Sequence, residues 1–305
     1  MERLSSWVEM FRRLVTFGEE SSYGTPSSNP NRLFGWVTEF SGGARLASEM
    51  VGVMDGSRSK RAVVYGVDAA PSISFLPTAG AFLKYALGSV TNSGTAPPYT
   101  HEITVTPSHR LPSITVVEHR VGSGSHGFRY VGCLVERLEV SWERDGPLEC
   151  SVELVSQRVE AVSSLPEPGE DAGTPYRAEM AAVIIDGVER GYATGGGISI
   201  SNNHTPLPRN PDGFVSGHIA NSTDIEATIS LHYMDPTIVN LMLDKKKFDV
   251  TVKFVRGPSD RIEFQLLRCI ADVEAPLSAE EGPTQELSLR AEDIKIVAVD
   301  SIPSY

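Results

Sequence analysis

The stretch GFRYVGCLVERLEVSWERDGPLECSVELV, at positions 127–155, decides the fold class. Apolar and polar residues alternate on both sides of the turn sequence RDGP, which is typical of two antiparallel strands with one buried side and one side in water. The side predicted to face the core carries Leu138, Val140, Trp142, Cys150, Val152 and Leu154. The other side carries Arg137, Glu139, Ser141, Glu143, Glu149, Ser151 and Glu153.

A related pattern occurs a second time, so that 114–162 resembles 250–299. Superposed without gaps, the two copies align Thr115 with Thr251, Arg120 with Arg256, Phe128 with Phe264, Cys133 with Cys269, and Gly146-Pro147 with Gly282-Pro283. A constant register over two strands, a hairpin and a second turn favours duplication. We predict a first half at 1–168 and a second half at 169–305, joined by the Pro-, Gly- and acid-rich linker 163–177.

Short helices are predicted beside the strands. The segment PTAGAFLKYALG has helical spacing and ends at Gly88, a natural terminator. In the second half, Asp235 and Pro236 begin a similar segment that ends in lysines. We therefore predict a mainly β protein with two related antiparallel β-sandwich or barrel halves, each with a short flanking α-helix. Apolar residues from Leu4 to Leu14 also predict an amphipathic N-terminal helix.

Two segments interrupt the repeat. The first half carries an insertion at 90–112, which we interpret as a surface loop. The segment 199–213 is a polar excursion whose Asn and Gly residues suit positive backbone angles. The segment 18–26 and the insertion 90–112 lack the apolar periodicity to hold a fixed form alone, so we expect one or both to become ordered against adjacent subunits or rings.

Composition excludes several functional classes. The chain has 305 residues, of which 40% are hydrophobic and 22% charged, as in a globular protein. With 39 acidic and 27 basic residues its formal charge is −12, which argues against tight binding to nucleic acid or anionic membrane. No apolar run is long enough to span a membrane, and the start MERLSSWVEMFRRLV lacks a secretory pattern, so we expect an intracellular origin.

Motifs that could indicate catalysis are weak. The three cysteines include no CxxC pair, and Cys133 and Cys269 fall inside apolar strand patterns, which predicts core positions. The glycine-rich run 122–127 matches a dinucleotide-binding pattern only literally, because strands and not a helix flank it, and a hairpin tip is the better interpretation. We expect neither catalysis, nor a cofactor, nor a metal. An enzyme or carbohydrate-binding β-sandwich stays as an alternative, although its acidic candidates Asp186, Asp212 and Asp224 are scattered.

Four segments resemble tail tube proteins of long-tailed, siphovirus-like bacterial or archaeal viruses. They are GEESSYGTP at 18–26, GGGISISNN at 195–203, EATISLHYMDPTIVNLML at 226–243 and GPTQELSLRAEDIKIVAVD at 282–300. Taken together in this order, the four segments extend the resemblance over nearly the whole chain. The resemblance implies a structural protein of the virion tail, made in the host cytoplasm, whose rings stack into a tube. Hairpin strands of the subunits would form an inner β-barrel around the passing genome.

The resemblance also assigns roles to residues. Lumen-lining candidates are Glu139, Glu143, Glu149, Glu153, Glu286, Arg137 and Arg290. Candidates for contacts between rings or subunits are Glu19, Glu20, Tyr23, Pro26, Tyr99, Asn202 and Asn203. Implied partners are further copies of the chain, the tape measure, tail terminator and distal tail proteins, and DNA that passes without tight binding; no membrane is implied.

The repeat bears on the number of subunits in a ring. Two tube-type folds per chain predict three copies in a pseudo-sixfold ring, whereas one larger sandwich per chain predicts six copies. A tail-completion or baseplate-hub protein that forms a single ring is the nearest alternative function.

Overall fold

Alternating apolar and polar residues build long antiparallel strands through most of the chain. The structure, a computed structural model, describes residues 12–53, 59–121, 126–169, 173–178, 181–232, 240, 244–273 and 284–305. The strands before the linker are β1 (Arg12–Glu19), β2 (Arg32–Leu33), β3 (Trp36–Ser41), β4 (Arg45–Gly52), β5 (Lys60–Asp68), β6 (Ser72–Leu76), β7 (Gly88–Ser93), β8 (Tyr99–Val105), β9 (Ile114–Val121), β10 (His126–Glu143), β11 (Leu148–Val155) and β12 (Arg158–Val162). Those after it are β13 (Ala182–Ile185), β14 (Val188–Ser201), β15 (Thr205–Pro206), β16 (His218–Ile219), β17 (Asp224–His232), β18 (Phe248–Gly257), β19 (Asp260–Val273), β20 (Thr284–Ala291) and β21 (Asp293–Asp300).

Three large sheets are joined by the long strands β10, β14 and β19, each of which takes part in two of them. The first-half sheet has the order β2, β1, β9, β10, β12. The second-half sheet has the order β14, β13, β18, β19, β21, β8, β7. The shared sheet takes strands from both halves in the order β3, β6, β11, β10, β14, β17, β20, β19. The predicted mainly β, antiparallel fold is confirmed.

The same strand pairings recur in both halves. The pairs β1–β2, β1–β9 and β3–β6 correspond to β13–β14, β13–β18 and β14–β17. The pairs β6–β11, β9–β10, β10–β11 and β10–β12 correspond to β17–β20, β18–β19, β19–β20 and β19–β21. Each half therefore contains the full set of strands of one repeat.

The gapless register of the two copies is wrong in the strands β9 and β18. Cys133 lies opposite Ile114, whereas Cys269 lies opposite Phe248, so Thr115 corresponds to Asp249 and not to Thr251. The hairpin of β9 and β10 has the longer tip, which shifts the preceding strand by two residues. A shift of two keeps every side chain on the same face.

The two matched cysteines are core residues, as predicted. Each follows a residue with a left-handed backbone, Gly132 (φ 67°) or Arg268 (φ 53°). Both thiols are free and fully buried, and burial raises their pKa, to about 12 for Cys269. They are therefore protonated and unreactive.

The core runs through both halves. Phe17, Phe34, Phe75 and Phe82 form an aromatic cluster in the first half, with ring centroids 4.5–5.6 Å apart. Trp142 of β10 packs edge-on against Phe254 of β18, with centroids 5.2 Å apart. A first-half strand thus supplies part of the second-half core.

The helix predictions have different outcomes. The segment before Gly88 is a 3-10 turn, Ala81–Leu83, continued by helix α1, Lys84–Leu87, and Gly88 caps it with φ 93° as predicted. The predicted N-terminal helix is wrong at Leu14 and Val15, which lie in β1, and its apolar positions Leu4, Val8 and Phe11 lie outside the described part of the chain. Of the predicted second-half helix, the structure describes Asn240, which is helical, and the lysine-rich end at 244–247, which is a turn and irregular chain. The rest of this segment lies outside the described residues.

The expectation that 90–112 is a surface loop is wrong. The insertion forms the hairpin of β7 and β8, and β8 pairs with β21 of the other half. His101 and Ile103 are fully buried, and the His101 ring stacks on Tyr305 with centroids 3.8 Å apart. A partner that is distant in sequence holds the hairpin, which local periodicity could not indicate.

Candidate functional surface

The outer face of the shared sheet brings the predicted lumen residues together. In register across the sheet, Glu139 lies opposite Ser199, Ser199 opposite Glu226, and Glu226 opposite Arg290. The inward side of the same strands is buried, as the alternation predicts; Leu138, Val140 and Cys150 are 0% exposed. All seven candidates point outward and are exposed: Arg137, Glu139, Glu143, Glu149, Glu153, Glu286 and Arg290. We call this the acidic face.

Carboxylates outnumber cations on the acidic face. Beyond the predicted residues, it carries the exposed side chains of Glu39, Asp224 and Glu226, which sequence reasoning missed. One cation is partly neutralised, because Arg137 lies 2.6 Å from Glu139 and donates to Ser199 at 3.1 Å. The missed residues show the same alternation of polar and apolar side chains, in β3 and β17. These strands join the sheet through partners that are distant in sequence, so the alternation alone did not place them on this face.

Small residues occupy the middle of the acidic face. Gly195 and Gly197 of β14 lie there beside Thr228 and Ser288. A Cβ at either glycine would meet its nearest atom only at 3.5–3.6 Å, so the fold itself leaves room for a side chain. Gly196 points to the opposite side, where a Cβ would lie 2.6 Å from the Trp142 indole. The acidic face is therefore flat and lined by short polar groups between carboxylates.

Glu20, one of the predicted contact residues, organises the interior. Its buried carboxylate accepts hydrogen bonds from Ser113 Oγ and Thr115 Oγ1, both at 2.8 Å. It also accepts from the backbone N–H groups of Gly24 (2.9 Å) and Gly132 (2.8 Å). These contacts give 18–26 a fixed form within the chain, contrary to the expectation that it cannot hold one alone.

Other contact candidates are also tied into the chain. Asn202 is buried and donates to the carbonyl oxygens of Ala86 (3.0 Å) and Val135 (2.9 Å). Glu19 accepts from Lys84 at 2.6 Å and from Tyr85 at 3.1 Å. Tyr23, Pro26, Tyr99 and Asn203 are half-buried. A role between subunits stays a proposal for these residues and is best supported for those that keep exposed surface.

A polar contact joins 18–26 to the polar excursion of the second half. The Tyr23 hydroxyl lies 3.1 Å from His218 Nδ1. Burial, with a smaller effect of the neighbouring His204, lowers the pKa of His218 to about 4, and burial raises the pKa of Tyr23. Both groups are therefore neutral near pH 7, which suits a partly buried hydrogen bond between the halves.

The described residues give no other indication of chemistry. Among them, no group of three or more His, Cys, Asp or Glu side chains is placed to hold a metal ion. No helix in the same part of the chain is long and apolar enough to cross a membrane.

A mainly antiparallel β fold with one sheet face that carries exposed carboxylates is the architecture of a structural β protein. The family model described as phage tail tube protein matches residues 11–291. The chain therefore belongs to the phage tail tube family, as the resemblance implied, and it is a structural component of the virion tail. No curated protein matches the chain.

Proposed function

We propose that the chain forms stacked rings of the tail tube and that the acidic face lines the bore through which the genome passes. The observation that carries this proposal is the gathering of all seven predicted lumen residues on one exposed sheet face. Carboxylates repel DNA phosphates, whereas lysines in the same places would release counterions and hold the DNA. An acidic bore thus lets DNA slide during ejection.

The repeat supports three chains in a ring over six. Each half supplies four strands to the shared sheet: β3, β6, β11 and β10 from the first, and β14, β17, β20 and β19 from the second. Two equivalent contributions per chain give pseudo-sixfold symmetry with three copies. The halves are proposed to meet at 168–169, within the linker 163–177. In this linker, Tyr176 is buried and donates a hydrogen bond to Asp260 at 2.6 Å.

Electron microscopy of the purified protein tests the tube. We expect long hollow tubes in which each chain contributes two similar sets of strands to the inner barrel. Isolated rings would favour a tail-completion or baseplate-hub protein, and monomers that bind sugars would favour the carbohydrate-binding alternative. A ring of six chains, each with one set of strands in the inner barrel, would contradict the proposed ring of three chains.

Thiol labelling tests which face lines the bore. Glu149→Cys places a reactive thiol on the acidic face, and Glu102→Cys places a control on the second-half sheet; the native cysteines are buried. In assembled tubes, a small maleimide should label both variants, whereas a large polyethylene glycol maleimide should label only position 102. Equal labelling of position 149 by the large reagent in tubes would show that this face is outside.

Charge reversal tests the role of the carboxylates. The test variant combines Glu149→Lys with Glu153→Lys on the acidic face. The control variant combines Glu102→Lys with Glu189→Lys, which changes the net charge by the same amount; all four residues are exposed. Exposed charges contribute less than about 1 kcal/mol each, so both variants should fold. Only the first should slow genome release from virions, with a delay that shortens at high salt.

A further inference from the structure

Two histidines fasten a hairpin of the second half to the first half. The hairpin spans 204–219, contains the paired strands β15 and β16, and is called the flap below. Near its start, His204 Nδ1 lies 2.7 Å from a carboxylate oxygen of Glu136, and the backbone N–H of His204 donates to the same oxygen at 3.1 Å. Near its end, His218 Nδ1 lies 3.1 Å from the Tyr23 hydroxyl. Both contacts join the flap to first-half segments that are distant in sequence.

The surroundings of His218 disfavour a positive charge on its ring. The charged and titratable groups that face it are Tyr23, His204, Glu136 and Asp68. Glu136 is bonded to His204, and Asp68 forms an ion pair with Arg209 of the flap. Among the described residues that face His218, each carboxylate therefore already has another partner. A protonated His218 would be partly buried without a counter-charge of its own while the flap is closed.

The base of the flap is held by contacts that remain in acid. On one side, the buried Asn202 donates to the carbonyl oxygens of Ala86 and Val135. On the other side, the backbone N–H of Ala220 donates to the carbonyl oxygen of His109 at 3.2 Å. His109 Nδ1 lies 3.0 Å from the Ala220 carbonyl oxygen, to which it donates in either protonation state. These contacts fix the chain on both sides of the flap.

The flap itself buries little surface. Of its residues, all of which the structure describes, only Val215 and Gly217 are buried as whole residues. Apart from the two histidines, hydrogen bonds of Arg209 and Gln157 connect it to the first half. A segment with few buried apolar contacts and mainly polar anchors opens at a low cost in free energy.

We propose that the flap is a pH-sensitive switch, which is closed on the first half in neutral solution and opens in acid, when His218 takes up a proton. In the open state water solvates the imidazolium, and the side of the segment 18–26 that carries Tyr23 is uncovered. The base of the flap and the pairing of β10 with β14 stay in place, so the two halves remain joined. This switch acts within a single chain and does not depend on the proposed assembly into rings.

The direction and size of the effect follow from proton linkage. Burial, with a smaller effect of His204, lowers the pKa of His218 to about 4 in the closed flap, whereas an exposed histidine has a pKa near 6.5. Between these values the closed flap binds fewer protons than the open flap, so acid favours opening. The ratio of open to closed flap should rise roughly a hundredfold from about pH 7 to about pH 4.

Hydrogen–deuterium exchange of the full chain, followed by mass spectrometry, tests the switch. Rates expected for unstructured peptides are divided by the measured rates at the same pH, which gives protection factors for the flap and for the paired strands β10 and β14. From about pH 7 to about pH 4, protection of the flap should fall at least tenfold, and protection of the paired strands should change less than about twofold. Unchanged protection of the flap, or an equal loss in flap and strands, would overturn the proposal.

Two matched substitutions assign the effect to one histidine. His218→Asn keeps a polar partner for the Tyr23 hydroxyl but takes up no proton, so the loss of flap protection in acid should disappear. His119→Asn is the control, because His119 is 4% exposed, lies 2.9 Å from Thr16 Oγ1 and has a pKa that burial lowers, but belongs to β9 of the first-half sheet. This variant should keep the full response to pH. A response that persists in His218→Asn, or that disappears in His119→Asn, would contradict the switch.

Discussion

Gly196 is the position where a single methyl group should most damage the joint between the halves. A Cβ there would lie 2.5 Å from the Thr228 carbonyl oxygen and 2.6 Å from Trp142 Cζ2. The carbonyl belongs to the paired strand β17, and the indole is 3% exposed and packed on Phe254. Neither can shift without disturbing the sheet or the core.

The expected cost follows from these contacts. Overpacking of a filled core costs about 1–3 kcal/mol, and two contacts far below van der Waals distance place Gly196→Ala near the upper end, about 3 kcal/mol. Gly195→Ala and Gly197→Ala meet nothing nearer than 3.5 Å. Alanine restricts the unfolded chain more than glycine does. The free energy of unfolding of these two variants should therefore differ from that of the parent protein by no more than about 0.5 kcal/mol.

Urea unfolding of dilute protein, followed by tryptophan fluorescence, measures the three variants side by side. The adjacent glycines are matched controls because they share the strand and the substitution. Equal free energies of unfolding for all three would refute the packing of Trp142 against β14.

Three further predictions concern the interior. Glu20→Ala should lower the free energy of unfolding by about 4 kcal/mol in urea titrations, because four hydrogen-bond donors lose their acceptor; a loss below about 1 kcal/mol would contradict this. Since the pKa of His218 is about 4 when folded and near 6.5 when unfolded, the unfolded state binds more protons between these values. Stability should therefore fall by up to about 3 kcal/mol as pH drops through this window, and His218→Asn should flatten the dependence measured by urea unfolding at a series of pH values. Gly132→Ala should lower Tm, at a cost of about 2 kcal/mol, because φ is 67° and the new Cβ would lie 2.8 Å from Gln157 Cβ; an unchanged Tm would count against the left-handed bend.

Local alternation was enough to predict the acidic face. A strict period of two from Arg137 to Glu153 assigns each side chain to one face, whatever the strand pairs with. The cysteines and the helix before Gly88 were predictable for the same reason, since apolar spacing and a terminal glycine are local signals. The two-residue error in the register between β9 and β18 did no harm, because it keeps the faces.

Features that depend on distant partners escaped sequence reasoning. Nothing near Glu20 indicates that Ser113, Thr115 and the turn at Gly132 converge on its carboxylate. The pairing of β8 with β21 likewise joins an insertion in one half to the last strand of the other. In both cases, the stabilising partner lies roughly a hundred residues or more away, beyond the reach of any periodicity.

The pairing of β10 with β14 has a consequence for the kinetics of assembly. The two halves are covalently tethered, so this junction forms in a first-order folding step whose rate does not depend on protein concentration. In a ring of three chains, only every second junction needs a bimolecular encounter. In the proposed ring, fusion of two repeats therefore halves the number of junctions that form between separate chains, which favours closure at the low subunit concentrations early in an infection.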